Sequence, residues 1–287
     1  MQQRNLGKQM WELFSPIFVY FIVGVVVETI VFCVYYFLKM PAYIDTIQTM
    51  EDFMKVYMDM VEEILQYSTE IAALSAACTI PFFIWMTRRD ARKETALGIV
   101  QHKKAPLTKY VLVAGISIPL SLGLNNLILL SNLAEYSEAY QKAAETLYMP
   151  SLPVQILCVG IVIPIMEEYL FRGLIFKRIR RYTPARYAIL FSAVFFGVYH
   201  GNLVQMIYGT ICGVLLAWLY EKYGSIKAPI LAHVLMNIVS CVMTEADAFT
   251  WMFSKTMRMA TITVGCAALA SIMFLLIQKI EETEPEL

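Results

Sequence analysis

Charge is what this sequence has least of. Asp, Glu, Lys and Arg make up 16% of its 287 residues, and 23 basic side chains cancel 23 acidic ones to a formal net charge of zero. A nucleic-acid partner therefore has no electrostatic support, since contacts to phosphates need clustered Lys and Arg. Paired cysteine motifs are missing too. The six cysteines (Cys33, Cys78, Cys158, Cys212, Cys241, Cys266) contain no CxxC and all lie within or at the ends of apolar runs. They read as buried free thiols and suggest neither a disulfide framework nor a zinc knuckle. There is no GxSxG elbow, which disfavours an acyl-enzyme route through serine, and no HExxH helix for a zinc ion. No internal repeat, low-complexity tract or soluble domain stands out.

What fills the sequence instead is apolar. Hydrophobic residues account for 59% of it, and the mean hydropathy is +0.59. Repeated apolar stretches of about 20 residues read as transmembrane helices. The expected fold class is all-α, a polytopic membrane bundle of eight spans at 14–38, 71–87, 110–131, 152–176, 187–201, 203–220, 226–243 and 260–277. The first run is longer than a signal-peptide core and lacks a small-residue cleavage site, so it reads as a retained anchor. Three regions follow: 1–150 with three spans and an outer segment, 151–245 with the candidate chemistry, and 246–287 with the last span and a tail.

Loop charge orients this layout. Arg4 and Lys8, the 88–109 segment with Lys103 and Lys104, the 177–186 cluster, Lys222, Lys227 and Lys279 fall on one side. Lys39, Lys55, Lys142, Lys255 and Arg258 fall on the other. The positive-inside rule then places both termini in the cytoplasm of an integral membrane protein. The outer connection 39–70 carries Met50, Met54, Tyr57, Met58, Val61 and Ile64 at helical spacing, opposite Glu51, Asp52, Asp59, Glu62 and Glu63. It is expected to be an amphipathic helix lying on the outer leaflet or on its own bundle, with substrate gating as the functional alternative.

Ionisable side chains at the centre of a span cost roughly 2.5–3.5 kcal/mol on insertion scales, and are usually paired or functional. The candidates are Glu28, Glu167, Glu168, Arg172, His200 and His233, with Asn125, Asn126 and Asn237 as polar companions. Glu168 and Arg172 are four apart, on nearly one helical face and in the favoured order for an ion pair. Glu167 is turned roughly 140° from Arg172 at about 100° per residue, and is left as the available carboxylate. His233 and Asn237 share a stripe. Glu28 is expected to pair or to line a cavity, Asn125 and Asn126 to join helix-to-helix hydrogen bonds, and His102 to be solvated in a basic loop. Gly197 with Gly201, and Gly209 with Gly213, form GxxxG pairs that let backbones approach. Pro164 stands ready to kink the helix that carries the acidic pair.

From chemistry alone these groups describe a hydrolase holding water inside the membrane. A carboxylate acts as general base, one histidine orients the water, and a second histidine with an amide stabilises an oxyanion. The same residues can instead bind a divalent metal such as zinc, through Glu167, His200 and His233. A proteolytically silent membrane immunity or scaffold protein is the alternative from another class. A small transporter is the third, disfavoured by the absence of an inverted repeat.

Three motifs in order sharpen this. EEYLFR at Glu167–Arg172 fits EExxxR, FGVYH at Phe196–His200 fits FxxxH, and HVLMN at His233–Asn237 fits HxxxN. Over residues 150–243 the chain resembles the CPBP intramembrane proteases, which include CAAX prenyl endopeptidases and bacterial proteins of bacteriocin processing and self-immunity. The resemblance implies that Glu167 and His200 activate water, and that His233 and Asn237 stabilise the oxyanion. Glu168 and Arg172 would support the site. It implies a membrane-bound peptide or protein substrate, prenylated or bacteriocin-like, in a bacterial cytoplasmic membrane; the basic loops themselves would suit anionic lipid as a partner. It leaves both a metal-dependent and a glutamate-dependent reaction open. Cleavage is expected near the cytoplasmic side. On a straight-helix count of about 1.5 Å per residue, Glu167 and His233 lie roughly 10–15 Å from the cytoplasmic end and His200 roughly 20 Å. The short fifth span is therefore expected to be deeply set, with the Gly201–Asn202 turn buried.

Overall fold

The computed structural model describes residues 6–96, 98 and 104–280. His102, Lys103, Arg4 and the C-terminal tail beyond Ile280 lie outside the described residues. All the regular structure among the described residues is helical. The long helices are α1 (Leu6–Lys39), α3 (Ser68–Ala96), α4 (Tyr110–Leu130), α6 (Leu152–Arg180), α8 (Leu203–Tyr223), α9 (Lys227–Glu245) and α11 (Thr256–Gln278), and each is long and apolar enough to cross a membrane. The shorter α7 (Ala185–Tyr199) joins them, giving the expected eight-membered all-α bundle of an integral membrane protein. Shorter helices α2 (Met50–Leu65), α5 (Glu138–Tyr148) and α10 (Ala248–Phe253) connect them.

Helix α6 is the axis. It packs against α1, α3, α7, α8 and α9, and Leu170, Phe171, Arg172, Leu174, Ile175 and Phe176 are all buried. Around it α7 lies along α8, α4 is flanked by α9 and α11, and α1 rests on α3. Helix α1 presents Phe18, Phe21, Ile22, Val25, Val26 and Ile30 outward, as a lipid-facing helix does. Between helices in lipid there is little hydrophobic driving force, so close packing and interhelical hydrogen bonds carry the association. Ser121 Oγ donates to the Met236 carbonyl (3.0 Å), Asn125 Nδ2 to Ser240 Oγ (3.2 Å) and Asn126 Nδ2 to Thr263 Oγ1 (3.0 Å). The two asparagines thus join α4 to α9 and α11, as their position in the apolar run leads one to expect.

The two ends of the bundle differ. At one end, Arg178 meets Asp90 (2.7 Å), Arg181 and Lys177 meet Glu94 (2.8 and 2.6 Å), and Arg180 meets Glu221 (2.9 Å). The Tyr223 hydroxyl donates to the Lys109 carbonyl (2.9 Å). The basic cluster after Phe176 is therefore bonded within the chain to the acidic tail of α3 and to α8. At the opposite end Thr69 Oγ1 donates to the Thr146 carbonyl (2.9 Å), tying α3 to α5. Gln155 Nε2 donates to the carbonyls of Tyr148 (3.0 Å) and Pro150 (2.7 Å). Helix α2 forms where its amphipathic pattern lies. Thr49 and Asp52 cap it reciprocally, and those bonds from Thr49 hold the Asp52 carboxyl below its ordinary range. The Lys39–Glu63 pair (2.7 Å) holds α2 to the end of α1.

Three expectations change on folding. Helix α6 is not a regular 3.6-residue helix: Ile156–Val162 and Tyr169–Phe176 form wider turns with i→i+5 bonding, on either side of Ile163–Glu168. Such stretches recur at functional sites. The Gly201–Asn202 turn is not buried, for Gly201 is exposed and a Cβ there would meet nothing within 4 Å. Gly201 is a turn residue whose φ of +74° lies in the left-handed region, so of the four GxxxG glycines Gly197, Gly209 and Gly213 serve packing. A Cβ on Gly213 would come within 2.9 Å of Ala193 Cα, and one on Gly197 within 2.5 Å of the Met206 carbonyl.

Gly197→Ala and Gly213→Ala are each expected to lower stability by about 1–3 kcal/mol through overpacking. Gly24→Ala, where a Cβ meets nothing within 4 Å, should show no loss. Thermal unfolding in detergent measures this, and equal stability of all three variants would mean that α7 and α8 do not meet this closely.

Candidate active site

The site is built from α6 outward. Arg172 is fully buried, and in an apolar bundle its charge has to be met by other groups. Its Nη1 donates to Glu168 Oε1 at 2.8 Å, one helical turn back, and its Nη2 to the Gly213 carbonyl of α8 at 3.2 Å. The guanidinium carbon stands 4.5 Å from the ring centroid of Phe196 on α7, a cation–π contact in a desolvated place. The absent side chain at Gly213 is what lets α7 and α8 draw together beside this group.

Glu168 does more than the helical count indicates. The same Oε1 that takes Arg172 also lies 2.8 Å from His233 Nδ1 on α9. With a carboxylate accepting there, Nδ1 carries the hydrogen and Nε2 turns toward Glu167, whose Oε2 is 3.7 Å away. One imidazole thus stands between the two adjacent carboxylates. Glu167, Glu168 and His233 are all buried.

His200 closes α7. Its Nδ1 lies 2.8 Å from the Phe196 carbonyl. A carbonyl only accepts, so a hydrogen sits on Nδ1, and in the neutral form of the ring the lone pair is on Nε2. Gly209 of α8 lies beside this ring: a Cβ there would be 3.3 Å from Gly197 Cα and in ordinary contact, 3.5 Å, with His200 Nδ1. Phe196 touches both histidines, with its ring centroid 4.9 Å from that of His200 and 5.5 Å from that of His233.

Asn237 is placed by a proline. Bonding in the first wide stretch runs i→i+5, as the Ile163 N–H to the Cys158 carbonyl shows. The next bond in that register would join residue 164 to the Val159 carbonyl, but Pro164 has no N–H. Asn237 Nδ2 donates to that carbonyl instead, at 2.9 Å. One amide hydrogen is fixed, and the second N–H remains on the side chain.

Glu167, His200, His233 and Asn237 all line one cavity of about 190 Å³. The three motifs therefore converge although the Gly201 turn is exposed. Glu28 does not line this cavity; it is exposed on α1. Among the described residues no three His, Cys, Asp or Glu side chains, Glu167, His200 and His233 included, are grouped so as to hold a metal ion.

Sequence reasoning missed several lining residues. Tyr140, Leu147 and Tyr148 come from α5, and Gln205 and Tyr208 from α8. Ser137, whose hydroxyl accepts from the Tyr140 N–H at the start of α5, was the available capping signal. Burial pushes the Tyr148 hydroxyl up to about 12 and raises that of Tyr140. Both therefore remain neutral hydrogen-bonding groups at the cavity wall.

Comparison with known proteins bears on the same stretch. Residues 149–239 match the family model described as type II CAAX prenyl endopeptidase Rce1-like. A Bacillus subtilis protein, YdiL, named as a candidate membrane peptidase, is 32% identical over 115 residues, covering 40% of this chain and 47% of that protein. The chain thus spans about half the length of the curated relative it matches. No solved structure matches it.

Arg172→Met leaves Glu168 as a buried carboxylate without its cation, and is expected to cost about 3–5 kcal/mol. Denaturation of purified protein in detergent gives the value. The double change Glu168→Leu with Arg172→Met should recover a large part of that loss, and identical losses in the single and double variants would count against the pair.

Proposed function

We propose that this chain is an intramembrane endopeptidase, a reading supported by the match of residues 149–239 to the Rce1-like family model. It hydrolyses a peptide bond in a membrane-associated substrate, prenylated and CAAX-like or bacteriocin-like. The observation that carries the proposal is the meeting of Glu167, His200, His233 and Asn237 around one cavity inside an apolar bundle.

The chemistry follows from the hydrogen-bond roles. Water bound between Glu167 and the Nε2 lone pair of His200 donates one hydrogen to each, which turns an oxygen lone pair toward the scissile carbonyl. Glu167 takes the proton as the oxygen attacks. The carbonyl oxygen becomes an oxyanion and accepts from the second Asn237 N–H and from Nε2–H of a protonated His233. Glu168 holds the other nitrogen of that ring, and Arg172 pairs with Glu168. Glu167 then returns its proton to the leaving amine as the C–N bond breaks.

Glu167→Gln and His200→Ala are each expected to lower hydrolysis by about 10²–10⁴-fold, assayed with purified protein on prenylated and unprenylated peptides. Activity should survive chelation. Equal processing of every peptide by wild type and variants would remove the peptidase reading, and loss on chelation alone would replace the glutamate route with a metal-dependent one. Pro164→Ala supplies an N–H that competes for the Val159 carbonyl and releases Asn237. It is expected to lower kcat by about 10- to 10²-fold with KM little changed, and an unchanged kcat would separate Asn237 from the reaction.

A further inference from the structure

The cavity is not symmetrically placed along the bundle. On α4 it is lined by Asn125 and Ile128, on α8 by residues from Val204 to Cys212, and on α7 by Phe196 with His200 just beyond the helix end. These are the halves of α4, α7 and α8 farthest from Lys109, Arg186 and Lys222. Glu167 lies midway along α6, and the other lining residues of that helix, Val159 and Ile163, precede it. On α9 they run from His233 away from Lys227. Helix α5, tied to the start of α3 and to Gln155, forms the last wall.

Burial grades along the same direction. Glu167 is 5% exposed and His233 6%, whereas Gln205, Leu147 and Tyr148, at the far end of the cavity, are half-buried. The deep end therefore holds Glu167 and the shallow end faces away from the ion-paired basic cluster. Basic residues crowd the other end of the bundle, and the positive-inside rule assigns such an end to the cytoplasm. Entry through the shallow end would then be opposite to the expected cytoplasmic side. The lining contributes Glu167 as its one acid and neither Lys nor Arg. A segment entering it would meet tyrosine hydroxyls, amides and apolar side chains.

We infer that substrate reaches Glu167 from the non-cytoplasmic face, and that the substrate is an uncharged peptide segment exposed on the outer half of the membrane. The inference rests on the peptidase reading for what enters, while the route of entry is independent of turnover.

The test is thiol labelling of the full chain in a bacterial membrane with a charged, membrane-impermeant maleimide. Modified positions are identified by peptide mass mapping against the parent chain, whose own cysteines are thereby separated. Gln205→Cys on α8 and Leu147→Cys on α5 probe two walls of the cavity mouth, and Arg186→Cys probes the basic end. In intact cells Gln205→Cys and Leu147→Cys are labelled and Arg186→Cys is not; in inverted vesicles Arg186→Cys is labelled. Labelling of both mouth positions only in inverted vesicles, labelling of neither from either side, or labelling of Arg186→Cys in intact cells overturns the inference. A failure of the peptidase reading would appear in the Glu167→Gln assay and leave this pattern unchanged.

Discussion

A buried positive charge organises this molecule. Arg172 sits in the most enclosed helix of an apolar bundle, where an uncompensated guanidinium would not be tolerated. Three groups answer it: Glu168 on its own helix, a carbonyl of α8 and an aromatic face of α7. Two of these also serve the candidate site. Glu168 holds His233, and Phe196 touches both histidines and supplies the carbonyl that sets the His200 tautomer. Neutralising one charge thus orients the polar groups of three helices at once. This is specificity obtained from a buried polar network whose members restrain one another.

The irregularity of α6 has the same character. In hydrocarbon a freed carbonyl must find a donor inside the protein. Pro164 frees the Val159 carbonyl, and the amide of Asn237 supplies the donor across the helix interface. A defect in one helix becomes the positional constraint on a side chain of another. Gly197, Gly209 and Gly213 act alongside it, since α7 and α8 approach too closely there for a side chain. That close approach brings His200 against α8.

The bundle is polarised as well. Ion pairs between α3, α6 and α8 lock one end, and the cavity occupies the half leading to the other. Many of the basic residues at that end are committed to internal acids rather than left for lipid headgroups. The positive-inside rule counts charge in the loops whether or not each charge is paired after folding.

The division between sequence and fold follows range and regularity. Long apolar runs determined the spans, because the bilayer fixes the length a helix needs. Spacing of four residues determined the Glu168–Arg172 pair, a contact within one turn. The amphipathic stripe of α2 and the helix-joining asparagines of α4 were legible for the same local reasons. Tertiary structure alone decided that Glu168 also holds His233, 65 residues away, and that α5 walls the cavity. It also decided that Gly201 turns rather than packs, and that Glu28 faces outward. The wide turns of α6 broke the assumption of a uniform 3.6-residue helix on which the depth count stood. Which residues can meet is written in local periodicity; which of them do meet depends on how helices from distant parts of the chain satisfy one another's charges and carbonyls where no water is at hand.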